Sequence, residues 1–142
     1  MPIRKRKSQK KPPLNKPQPH KQSEIIFSFK YLDLEHPKFR IDDCNNEYFN
    51  TLLKRLRDVC KITFNEFIGT RSSTLKSNNI TWEKTSEPEG FQNINSELWM
   101  EFSRECSLTK NEHGRIHGFL TLNTFHIVWF DPHHNLFPRT RR

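Results

Sequence analysis

One hundred and forty-two residues and 17.1 kDa allow one core of ordinary size and exclude two independent ones. Only 32% of the chain is hydrophobic and its mean hydropathy is -0.89, so part of it has too little apolar surface to pack, and the longest apolar run, 125–130, excludes a membrane-spanning helix of about 20 residues. The net charge of +8 falls entirely within residues 1–23, because the sixteen basic and sixteen acidic residues of 24–142 cancel.

The first segment, residues 1–23, holds Arg4, Lys5, Arg6, Lys7, Lys10, Lys11, Lys16 and Lys21, no acid, and five of the nine prolines. That is the composition of a disordered, solvated tail, and the domain boundary is set at Ser23. Such a tail can follow a phosphate backbone by releasing counterions, with Arg4, Lys5, Arg6, Lys7, Lys10 and Lys11 as the RNA-binding candidates. It can equally serve solubility alone, or read as a nuclear import signal in a eukaryotic host. Its basic start runs into Pro and Lys with no apolar stretch behind it, unlike a secretory signal, so the expected location is the cytoplasm.

Residues 24–32 place Ile25, Phe27, Phe29 and Tyr31 on one side at period two, the pattern of a first strand. A polar connection follows to residue 46. From Asn46, read as an N-cap, the apolar residues Phe49, Leu52, Leu53, Leu56, Val59, Cys60, Phe64 and Phe67 mark an amphipathic helix. It stops at Gly69 and breaks near 61–63. Lys54 and Arg55 lie on its polar side and join the RNA-binding candidates, although a solvated helix face explains them equally well. Residues 70–95 read as loop with a short strand at 79–84, and Ser96 opens either a short helix carrying Leu98, Trp99 and Phe102 or another strand.

The C-terminal third carries the clearest pattern. Residues 115–122 and 125–130 form an antiparallel hairpin about Asn123-Thr124, with Thr121 opposite Thr124 or His126, and Asp131-Pro132 ends the second run. That register puts His117, Phe119, His126 and Val128 on one face and turns Ile116, Leu120, Ile127 and Trp129 toward the helices. The fold class is therefore α+β: a small antiparallel sheet packed on one or two helices over 24–138, between the basic tail and a basic end at 139–142.

Five of the seven histidines lie between 113 and 134. Their spacing fits no metal signature, so neither metal nor other cofactor is expected, and three cysteines without a CxxC pair suit reduced thiols. Arg115 with His117, His126, His133 and His134 suits metal-independent cleavage of RNA. The 2′-hydroxyl must lose a proton, the leaving 5′-oxygen must gain one, and the phosphorane needs a fixed positive charge. No glycine-rich phosphate loop or nucleophile elbow competes.

The run "HGRIHGF" followed by "FHIVWFDPHHNLF", in a strand, helix, hairpin order, resembles the RelE and HigB-like mRNA interferases of bacterial toxin-antitoxin pairs. The resemblance implies an endoribonuclease toxin acting on mRNA, with the ribosome and a cognate antitoxin as partners. It implies that Arg115 contacts the scissile phosphate, that His117 or His126 transfers a proton, and that His133 or His134 takes the C-terminal position. The pattern departs from the family in its long tail, its 70–95 loop and its lack of a second strand arginine, since Arg139 lies beyond the last strand and is counted only among the RNA contacts. The alternative is a non-enzymatic nucleic-acid-binding or defence-associated protein whose histidines are structural.

Overall fold

In the computed structural model, which describes residues 23–69, 77–108 and 114–137, five strands form one sheet in the order β1-β5-β4-β3-β2. The basic tail, residues 70–76, His113 and Arg139 lie outside the described residues. The α+β class holds, but the sheet is mixed: β1 (Ile26–Ser28) runs parallel to β5 (Thr124–Asp131), while the other three pairings are antiparallel.

β1 is shorter than its alternation predicts. After Ser28 the chain turns, with Leu32 N–H donating to Phe29 O, and rejoins β5 where Asp33 N–H donates to Val128 O. Helix α1 (Asn46–Val59) starts one residue earlier in its cap than expected, since Asn45 Oδ1 accepts Tyr48 N–H at 2.8 Å. It buries Tyr48, Leu52, Leu56 and Val59, the i, i+4 stripe of an amphipathic helix. The expected break is present. Helix α2 (Phe64–Phe67) restarts under a capping box, with Thr63 and Glu66 satisfying each other's backbone N–H groups.

The expected strand at 79–84 lies earlier, as β2 (Ser77–Asn79), and Trp82–Lys84 is a 3₁₀ turn. Of the two readings of the next segment the helix holds: α3 (Ser96–Trp99) is a single helical turn, capped by Asn95 instead of Ser96, and the strand, β3 (Ser103–Ser107), begins only after Phe102. β4 (Arg115–Thr121) and β5 make the hairpin in the register Thr121 opposite Thr124, so the turn is Leu122-Asn123, with Leu122 at φ 58°.

Both sheet faces are covered. α1 and α2 pack on Ile116, Leu120, Phe125, Ile127 and Phe130. The opposite face carries a second, largely aromatic layer of Phe39, Phe91, Trp99, Phe119, Val128, Trp129 and Leu136. Trp129 is thus not on the helix side as its alternation predicts. The register shifts between His117, opposite Trp129, and Gly118, opposite Ile127, which leaves Val128 as the extra residue of a β-bulge. One added residue reverses the facing of everything beyond it, so Trp129 joins Val128 and His117 on the second face.

Candidate functional site

Alternation along three adjacent strands gathers charge at one end of the second face. Glu105 on β3 lies opposite His117 on β4, and Arg115 on β4 lies opposite Asp131 on β5. The turn after β5 then folds back. His134 adopts φ 59°, a left-handed conformation in which His is enriched, and its Nε2 comes within 3.4 Å of Glu105 Oε2. Arg115 Nε lies 3.3 Å from the same oxygen. A carboxylate, a guanidinium and an imidazole therefore meet at one atom, with 12%, 18% and 20% of their side chains exposed.

Behind this trio sits a fully enclosed pair. His117 Nε2 and Asp131 Oδ2 are 2.9 Å apart, and neither side chain has any exposed area. Asp131 also accepts the N–H groups of Asn135 at 2.7 Å and Leu136 at 3.0 Å, which holds the turn carrying His134. The Tyr48 hydroxyl ties α1 in by donating to Arg115 O at 2.7 Å and accepting Asp131 N–H at 3.3 Å. Burial pushes the Asp131 carboxyl up, yet the His117 hydrogen bond and charge and the two backbone N–H groups outweigh it and hold it below the usual range. Burial likewise raises Glu105, and the His134 hydrogen bond with the charges of His117, Arg115 and His134 brings it below its ordinary value. Both carboxylates are ionised near neutral pH.

Of the five residues read as catalytic, the fold brings together Arg115, His117 and His134. His117 is enclosed, so it meets no substrate in this arrangement and acts only through its neighbours. His126 stands toward the other end of β5, packed between Tyr31 (5.1 Å) and Phe119 (4.9 Å), where burial and the nearby Lys30 charge lower its pKa. His133 is exposed on the turn. Lys54 is exposed on α1, whereas Arg55 is half-buried and donates from Nε to Leu108 O at 2.8 Å, so it fastens the helix to the end of β3.

Sequence reasoning missed Glu105, Asp131 and Tyr48. Asp131 reads as a strand stop, and Tyr48 precedes the apolar residues that mark the helix; Ser103, Glu105 and Ser107 alternate with Arg104 and the buried Cys106, and one apolar residue is too few to mark a strand. Among the described residues no group of three or more His, Cys, Asp or Glu side chains is placed to hold a metal ion, and no helix is long and apolar enough to cross a membrane. No family model, curated protein or solved structure matches the chain.

Proposed function

We propose that this chain cleaves RNA by metal-independent transesterification at the Glu105, Arg115 and His134 cluster. The observation that supports this most is the convergence of those three side chains on Glu105 Oε2, a buried atom whose surrounding side chains stay 12–20% exposed, because it joins a base, an acid and a fixed cation. A phosphodiester entering the cluster replaces Glu105 as the partner of Arg115 and His134. Glu105, ionised, takes the 2′-hydroxyl proton; Arg115 faces the charge that develops on the phosphorane; His134 gives a proton to the leaving 5′-oxygen. His117 and Asp131 position the turn and the strand beneath. In the setting that the RelE and HigB resemblance implies, the substrate is mRNA in the cytoplasm, on or off the ribosome, and a cognate antitoxin restrains the activity.

The test is cleavage of an mRNA with and without translating ribosomes. Arg115→Ala and His134→Gln are each expected to lower the rate by about 10²-fold or more, and Glu105→Gln comparably, while EDTA changes nothing. No cutting by the wild type in either setting, or equal cutting by all forms, overturns the proposal. One observation favours the non-enzymatic reading: Glu105 already neutralises Arg115, and the pair behind them is sealed, as in a structural clamp. On that reading the same variants lose stability and RNA affinity is unchanged.

A further inference from the structure

A second feature of the same face lies apart from the charged cluster. Between the turn after β1 and the segment before α3 is a cavity of about 240 Å³ lined by Tyr31, Asp33, Phe91, Asn93, Ile94 and Val128. Its walls are aromatic and aliphatic, and Lys30, Asp33 and Asn93 set polar groups among them, a mixed lining that can fix a ligand's orientation. A neighbouring cavity of about 270 Å³ shares Asp33 and Asn93 and runs on to Trp129 and His36.

Both the wall and the carboxylate are held in place. Tyr31 packs against Phe119 (5.4 Å) and His126 (5.1 Å), with Lys30 Nζ 5.3 Å from its ring centroid. Asp33 is pinned to β5 by its own N–H. Its Oδ1 accepts Glu35 N–H at 3.0 Å and its Oδ2 accepts Trp129 Nε1–H at 3.2 Å. A carboxylate has about four acceptor sites, so one remains on each oxygen of a side chain that lines the cavity with Tyr31 and Phe91.

We infer that this cavity binds an unstacked guanine base, with Asp33 accepting the adjacent N1–H and N2–H donors of its Watson–Crick edge. Single-stranded RNA is read in this way, by stacking on aromatic side chains and hydrogen bonds to that edge. Adenine, cytosine and uracil each set an acceptor against the carboxylate where guanine offers a second donor, so they leave charge facing a lone pair. From Val128 to the Glu105 cluster is on the order of 10–15 Å across β5, β4 and β3, a distance that a short oligonucleotide spans. The inference rests on the RNA reading above and names the base at which cleavage is directed.

The full-length chain is titrated calorimetrically with the four nucleoside 3′-monophosphates and with methylguanidine. The guanosine nucleotide is expected to bind about tenfold or more tighter than the other three, and Asp33→Asn is expected to abolish that ranking. Glu35→Gln, which removes a charge of the same sign nearby, is expected to preserve it. Equal binding of the four nucleotides overturns the inference, as does equal loss in both variants. Methylguanidine binding as tightly as the guanosine nucleotide also overturns it, in favour of an arginine-bearing peptide. If Asp33→Asn does not fold by circular dichroism, the wild-type ranking decides alone. Arg115→Ala should keep the guanine preference, so guanine binding without cleavage sinks only the ribonuclease, and cleavage without guanine preference sinks only this site.

Discussion

At Tyr48 a single hydroxyl joins helix α1 to two strands, and its loss measures how tightly the polar cluster is built. Tyr48→Phe leaves Arg115 O and Asp131 N–H buried without that partner and is expected to cost about 1–3 kcal/mol in urea unfolding. Asp131→Ala is more severe, about 3–5 kcal/mol, because it strands His117 and the N–H groups of Asn135 and Leu136 together. The pH dependence has a definite sign. The folded-state pKa of Asp131 is depressed below its ordinary 3.8, so the stability this gives is present above that value and is lost as pH falls through the folded pKa. Asp131→Asn should flatten the acid limb of a stability profile measured between pH 7 and pH 2; an unchanged slope there would show that the carboxylate is not held by its partners.

The bulge in β5 is the element on which the second face depends. A Cβ at Gly118 runs into the carbonyl of His126 on the neighbouring strand, so Gly118→Ala must push β4 and β5 apart where the register shifts. The expected loss is about 2 kcal/mol or more, with a change in the emission of Trp82 and Trp129, which pack edge-to-face at 6.2 Å in the layer that the bulge supports. Native stability and unchanged emission in this variant would mean that the bulge relaxes freely. Thr63→Ala tests a milder device. It removes one half of the α2 capping box and should cost about 1 kcal/mol. The helix carries Phe67, which is fully buried against Phe125, so even a short element is tied to the sheet.

Across the whole molecule, charge is divided by region. Residues 31–43 and 77–101, which include the layer over the second face, hold nine acidic residues against three basic ones, while residues 1–22 hold eight basic residues and no acid. An acidic layer repels a polyanion, so long-range attraction of RNA falls to the tail. Removing residues 1–22, and keeping Ser23, whose carbonyl accepts Phe64 N–H, is expected to weaken RNA binding. It should also flatten the salt dependence by several units, at about 0.7 per phosphate contact on a single strand. Thermal unfolding should be unchanged. The same salt slope in the shortened chain would assign the attraction to the body instead.

What the sequence determined alone is local: the stripe of α1, the break before α2, the hairpin, and the separation of charge between tail and body. Each follows from propensities and periodicities acting over a few residues. The tertiary structure decided the rest. The parallel seat of β1, whose alternation marks a strand but not its partner, and the strand β3, too polar to declare itself, depend on residues elsewhere in the chain. Trp129 changes face because one residue is accommodated in a bulge, which no alternation pattern contains. The cluster of Glu105, Arg115, His117, Asp131 and His134 joins three strands and a turn, and Tyr48 reaches Asp131 across 83 residues. Such groups are buried only where each finds a partner, and that balance of desolvation against hydrogen bonding exists only once the strands are side by side.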